Sequence, residues 1–202
     1  MKHILVYESF NPISWVKSKV SNVFIERLCK KYGIKNYTIN SDGSVDVSGD
    51  VTFSVMHNSD GKRIKLGKLP IKFGRVTGAF YCSEHDLTSL KGAPNYVGGD
   101  FYCSGNKLTS LEGGPSFVSG NYSCFNNKLI TLEGMPEQVG KIDFSNNPVY
   151  VISQLFNNQK DFIDSLDWKY IKGNSIIKYR FEEACAEFGI EVPESIEGYK
   201  YI

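Results

Sequence analysis

The chain has 202 residues, 41% apolar and 13% aromatic, with a net charge of +1. That composition suits one domain or one repeat array, argues against disorder, and carries no global charge bias toward nucleic acid or anionic lipid. No apolar run of about 18 residues occurs, and the N-terminus Met-Lys-His-Ile-Leu-Val-Tyr-Glu-Ser-Phe turns polar before a signal-peptide core is complete, so a soluble cytoplasmic protein with no membrane partner is expected.

Residues 14–32 carry Val16, Val20, Val23, Phe24 and Leu28 at helical spacing, and Gly33 ends the pattern, which predicts an amphipathic helix. Next, Tyr37-Thr-Ile-Asn-Ser-Asp-Gly-Ser-Val-Asp-Val47 reads as a hairpin. For Tyr37 and Ile39 to share a face with Val47 and Val45, the loop must be Ser41-Asp42-Gly43 with glycine at the left-handed position.

A repeat follows. Val76-Thr-Gly-Ala-Phe-Tyr-Cys-Ser, Val97-Gly-Gly-Asp-Phe-Tyr-Cys-Ser and Val118-Ser-Gly-Asn-Tyr-Ser-Cys-Phe recur every 21 residues, each followed by Leu-x-x-Leu and Gly-x-Pro. Val47-Ser-Gly-Asp-Val-Thr-Phe-Ser opens an earlier repeat with about eight extra residues, placed in the polar segment 57–63. Val139-Gly-Lys-Ile-Asp-Phe-Ser opens a fifth, one residue short. Such a period predicts stacked units that cannot bury an apolar face singly, with degenerate outer repeats as ends. Beyond Ile152 the period stops: 154–171 and 175–188 read as helices, the second carrying Phe181, Ala184, Cys185 and Phe188 on one stripe before Gly189 and Pro193.

The unit Pro-x-x-Val-x-Gly-x-Phe-x-Cys-x-x-Asn-x-Leu-x-x-Leu-x-Gly-x-Pro resembles a leucine-rich repeat of the short bacterial class. Its Phe-x-Cys strand and Gly-x-Pro ending look most like leucine-rich-repeat-like proteins of large bacteriophages and their hosts. The resemblance covers about residues 47–152. With the periodicity it gives an expected α/β repeat fold: a short leucine-rich-repeat-like parallel β-solenoid over 47–152, an N-terminal helix and hairpin cap over 1–46, and a C-terminal helical cap over 153–202. The resemblance also implies a phage-encoded protein, acting in the host cytoplasm.

Three cysteines, Cys82, Cys103 and Cys124, occupy one repeated position without Cys-x-x-Cys pairs. They read as inward fillers rather than a disulfide framework or a zinc site. Asn106, Asn127 and Asn147, with His85 at the same place one repeat earlier, fall where the chain leaves the strand, where a buried amide can serve the backbones of adjacent repeats. Glu84-His85-Asp86 juxtaposes acid and imidazole, but consecutive turn residues do not converge on one atom and no nucleophile accompanies them. His3, His57 and His85 lack ligand spacing, Asp42-Gly43 and Ser59-Asp60-Gly61 read as turns, and no phosphate-binding glycine loop occurs. The basic stretch Lys62, Arg63, Lys65, Lys68, Lys72 and Arg75 reads as a solvated face rather than a nucleic-acid contact. These readings leave no enzyme, no cofactor and no metal in the expectation.

Alternation puts three rows of side chains on the outer side of the strands. One is Asp50, Ala79, Asp100, Asn121 and Lys141; the next is Thr52, Tyr81, Tyr102, Ser123 and Asp143; the third is Ser54, Ser83, Ser104, Phe125 and Ser145. Tyr81, Tyr102 and Phe125, flanked by Asp100, Asn121 and Asp143, are the candidate contacts for a protein partner on the concave face, because tyrosine offers wide contact area at low entropy cost. Set beside this are a phage inhibitor of a bacterial host or defence protein, and a structural component of a virion.

Overall fold

Valine sets the register. In the computed structural model, which describes residues 12–53, 56–57, 60–61 and 63–202, Val47 pairs with Val76, Val76 with Val97, Val97 with Val118 and Val118 with Val139, all in parallel. A second parallel line runs Val51, Phe80, Phe101, Tyr122, Ile142. Equal residue types recur because equal positions must fill the same interior. Between Val118 and Asn121 the register to the fifth repeat slips, and Asn121 pairs with Lys141, which absorbs the residue missing there.

The strands are short. In chain order, helix α1 (Pro12–Lys31) precedes β1 (Tyr37–Ile39), β2 (Val45–Val47) and β3 (Val51–Thr52). The additional residues of the first repeat include a small antiparallel hairpin of β4 (Met56–His57) and β5 (Arg63–Ile64). Then come β6 (Phe73–Val76), β7 (Phe80–Tyr81), β8 (Tyr96–Val97), β9 (Phe101–Tyr102), β10 (Phe117–Ser123) and β11 (Gln138–Asp143). The two strand lines of the earlier repeats merge at β10.

The expected fold class needs correction. The nine-stranded sheet is mixed, not an all-parallel solenoid, and helices are few. Its first edge is the N-terminal hairpin: β1 joins β2 antiparallel, Tyr37 opposite Val47 and Ile39 opposite Val45. The cause is the tight loop, where Gly43 at φ +76° reverses the chain and keeps Tyr37–Ile39 within reach of the β2 edge. The expected C-terminal helical cap is also corrected. After α2 (Tyr150–Ser153), α3 (Gln159–Ser165) and a 3-10 turn (Leu166–Trp168), the chain forms β12 (Ile171–Lys172) and β13 (Ser175–Ile176). Helix α4 (Lys178–Glu187) and β14 (Lys200–Tyr201) follow, and β12, β13 and β14 make a separate three-stranded sheet. Asn158 starts α3 by accepting from the Asp161 N–H at 3.0 Å, and Lys169 in the left-handed region stops the turn, so 154–171 cannot run as one helix.

Helix α1 presents a different face from the expected one. Val23 and Phe24 are exposed, at 47% and 61%, whereas Ile25, Leu28, Cys29 and Tyr32 pack on the core. Those four also satisfy helical spacing, and Tyr32 meets Phe53 edge-on at 5.5 Å, which selects their side. The side chains of Val16 and Val20 lie outside the described residues.

The interior holds Cys82, Cys103 and Cys124 as free, buried thiols beside Leu87, Leu108 and Leu129. Burial pushes these thiols well up, so they stay protonated and unreactive. Each buried asparagine knits two repeats together. Asn106 accepts from the His85 and Leu87 N–H groups at 2.9 and 3.0 Å and donates to the Cys82 and Cys103 carbonyls at 3.0 and 2.9 Å. Asn127 and Asn147 likewise donate to Cys103 and Cys124 of the preceding repeats. His85 copies the donor, its Nε2 lying 2.9 Å from the Phe53 carbonyl. Just before each of these residues the backbone turns left-handed, at Glu84, Gly105, Asn126 and Asn146.

One core position departs from its equivalents. Tyr122 stands where Phe80 and Phe101 stand, fully buried, with a hydroxyl that lacks a well-aligned partner. A Cβ at Gly114 would lie 3.1 Å from that hydroxyl, so the glycine makes room for it. Tyr122→Phe is expected to raise stability by about 1 kcal/mol, since a buried hydroxyl whose one polar neighbour among the described residues is the weakly bonding Cys103 thiol is removed with little change of shape. Chemical denaturation checks this; a lower midpoint would show that the hydroxyl is bonded in solution.

Candidate functional site

The candidate residues share one side of the sheet. Register aligns Ala79, Asp100, Asn121 and Lys141 in one row and Thr52, Tyr81, Tyr102, Ser123 and Asp143 in the next. The core takes the alternate positions, so none of these side chains is needed to fill it.

Tyr81 and Tyr102 stack face to face, centroids 4.9 Å apart and planes 8° from parallel. That separation is close to the strand spacing, so the sheet itself sets the ring spacing. The Tyr102 hydroxyl donates to Asp100 Oδ2 at 2.9 Å, and that hydrogen bond, helped by burial and by the carboxylate's charge, holds Tyr102's ionisation above the ordinary tyrosine range. Asp100 Oδ1 accepts from the Asn121 N–H at 2.7 Å. Asp50 accepts in the same way from Ala79 at 2.8 Å, and Asp46 from Arg75 at 2.7 Å. Each acceptor needs a glycine beside it: a Cβ at Gly74, Gly78 or Gly120 would come within 2.3 Å of the carboxylate. Asp100 therefore orients the neighbouring tyrosine and braces the sheet at once.

Asn121 is exposed. Asp143 is exposed too, and its Oδ1 accepts from the Ser145 N–H and hydroxyl at 3.1 and 2.7 Å. Phe125 is 43% exposed but lies two positions further along the fourth repeat than Ser123, flanking the stack rather than extending it. In that third row Ser104 is buried, its hydroxyl on the Ser123 carbonyl at 3.0 Å, and Ser54 lies outside the described residues.

A second ladder was not among the expected site residues. Arg75, Tyr96 and Phe117 stand one residue before the repeat valines, and Tyr96 and Phe117 stack at 4.7 Å with planes 7° apart. The Arg75 guanidinium covers the other face of Tyr96, 3.5 Å from its centroid. The signal was present in the sequence: the same period that aligns Tyr81 with Tyr102 aligns these three, six residues earlier in each repeat.

No protein family matches this chain, and no curated protein or solved structure gives a match. The geometry therefore carries the functional reading. The basic stretch breaks into local partnerships: Lys72 pairs with Asp42 at 2.6 Å, Lys65 donates to the Glu84 carbonyl, and Arg75 lies on Tyr96. Lys62 lies outside the described residues. In Glu84-His85-Asp86, His85 is buried against the Phe53 carbonyl while Asp86 pairs outward with Lys107 at 3.0 Å, so imidazole and carboxylate serve different surroundings. Among the described residues no group of three or more His, Cys, Asp or Glu side chains could hold a metal ion, and no helix is long and apolar enough to cross a membrane.

Proposed function

We propose that this protein is a non-enzymatic binding module that engages a protein partner through the outer face of its parallel repeats. The observation that carries this reading is the stack of exposed Tyr81 on half-buried Tyr102, oriented by Asp100 on a face the core does not use. A prearranged aromatic pair loses little conformational freedom on binding, which is what anchor residues require. Phe125, Asn121 and Asp143 surround it with one further apolar contact and with polar groups for the rim. The resemblance to phage repeat proteins makes a bacterial protein the first partner class to screen.

Replacing Tyr81 and Tyr102 together by Ala is expected to weaken capture of the partner by about 2 kcal/mol or more. Thermal stability should change little, because the ring pair lies outside the core and Asp100 keeps its bond to the Asn121 N–H. The comparison variant is Lys65→Glu with Lys68→Glu, on the basic side. If charge reversal abolishes binding and the double-tyrosine change does not, the partner uses the basic side and this face is not the site.

A further inference from the structure

The two ladders on the outer face end differently. The Tyr96–Phe117 ladder is closed by the protein's own guanidinium, Arg75, occupying the place of the next rung. Among the described residues, none closes the Tyr81–Tyr102 ladder in this way toward the fourth repeat. There the rung paired with Tyr102 is Ser123, a half-exposed small side chain, and the rung paired with Ser123 is Asp143. A ring face and a carboxylate thus stand two strand spacings apart, about 9–10 Å, with only a serine between them. Phe125 bounds this slot on one side along the strand and Asn121 on the other.

Charge decides what fits. Asp143 uses Oδ1 for its own turn, which leaves Oδ2 for an incoming donor. Tyr102 donates its hydroxyl to the Asp100 carboxylate, which makes its ring more electron-rich and a better seat for a cation. Lys141 lies beside Asp143 in the adjacent row, and Asp100 stands two rungs along that same row. A planar cation answers both walls: it stacks on the ring, and its charge is attracted by the carboxylate one strand spacing further along the stack. A lysine ammonium would meet the charge but not the slab shape, and a third aromatic ring would leave the carboxylate unanswered.

We propose that the slot over Ser123, between Tyr102 and Asp143, receives an arginine side chain of the protein partner. This rests on the binding face proposed above and specifies the chemistry of its partner. The guanidinium would repeat at Tyr102 what Arg75 does at Tyr96.

The test uses the full chain and three short peptides: acetyl-Gly-Arg-Gly-amide, its citrulline counterpart, which keeps the planar shape and removes the charge, and its phenylalanine counterpart. Amide resonances are followed during titration. Shifts centred on Tyr102, Ser123 and Asp143 are expected with arginine, with affinity lowered about tenfold for citrulline. Ser123→Phe, which fills the slot with a further rung, should abolish the effect, and Asp143→Asn should weaken it. Equal binding of arginine and citrulline, tighter binding of a phenylalanine peptide, shifts centred elsewhere or no shifts would each overturn the proposal. If the double-tyrosine variant loses the partner while the arginine peptide leaves Ser123 unmoved, the binding face stands and the arginine slot falls.

Discussion

Asn106→Ala is expected to destabilise the protein by about 4 kcal/mol, a large share of a typical domain's stability. The amide makes four hydrogen bonds, two accepted and two donated, and all four partners are backbone groups in the buried seam between the second and third repeats. Alanine takes the side-chain partner from the His85 and Leu87 N–H groups and from the Cys82 carbonyl, while the Cys103 carbonyl keeps the Asn127 amide at 3.1 Å. It also leaves a space too small and too enclosed for water to serve all three. Asn106→Asp should fare no better, since it removes both donors and places a carboxylate in that seam. Asn106→His is the informative comparison. His85 already fills this place one repeat earlier and reaches the preceding carbonyl through Nε2, so histidine should recover part of the loss. Urea denaturation of the three variants reads the order directly. Equal losses for Ala and His would show that side-chain volume, not the donor to the preceding repeat, holds the seam.

What could be read in the sequence follows from what stacking repeats. Phe80, Phe101 and Tyr122 occupy one interior line, and so do the cysteines and the buried asparagines, because each rung lies on an equivalent rung. The outer tyrosines were legible for the same reason, and the hairpin was legible through its loop, which admits one register. The mixed character of the sheet was not, because the period says nothing about how the segment before it joins the edge. Nor was the C-terminal arrangement: its strands are two residues long, too short to show alternation, and their pairing is set by packing around Tyr170 and Phe181, whose rings lie 5.0 Å apart. The inward face of α1 was misread between two stripes that both satisfy helical spacing, and contact with Phe53 chose between them. The aspartate–glycine pairs, such as Asp50 with Gly78 and Asp100 with Gly120, join positions in neighbouring repeats. They can be recognised only once the rows are aligned.

Removing residues 153–202 is expected to convert the protein into an oligomer or aggregate, for reasons that now have named atoms. In the inner repeats each rung donates to the next: Phe80 to the Asp100 carbonyl and Cys82 to the Tyr102 carbonyl at 2.8 Å, Cys103 to the Ser123 carbonyl at 2.9 Å, and Cys124 to the Asp143 carbonyl at 2.8 Å. In the fifth repeat the equivalent donors, Ile142 and Phe144, have no following rung. By the same geometry they face a cleft of about 540 Å³ lined by Phe156, Asn158 and Gln159 among others. Gln159 stands in for the absent strand by donating to the Ile142 carbonyl at 2.9 Å. Phe162 packs against Phe144 at 5.7 Å and against Phe156 at 5.6 Å. The tail is tied back as well, the Tyr199 hydroxyl donating to the Ile130 carbonyl at 2.7 Å. Truncation would bare Phe144, Val149 and Ile152, all buried in the full chain, together with an open strand edge. An edge of that kind pairs readily with a second chain. Light scattering of the 1–152 fragment should show species larger than a monomer, whereas Gln159→Ala in the full chain should remain monomeric, since the apolar cover stays in place. A monomeric, cooperatively unfolding 1–152 fragment would mean that the repeats close their own end and that the C-terminal segment is an appended unit.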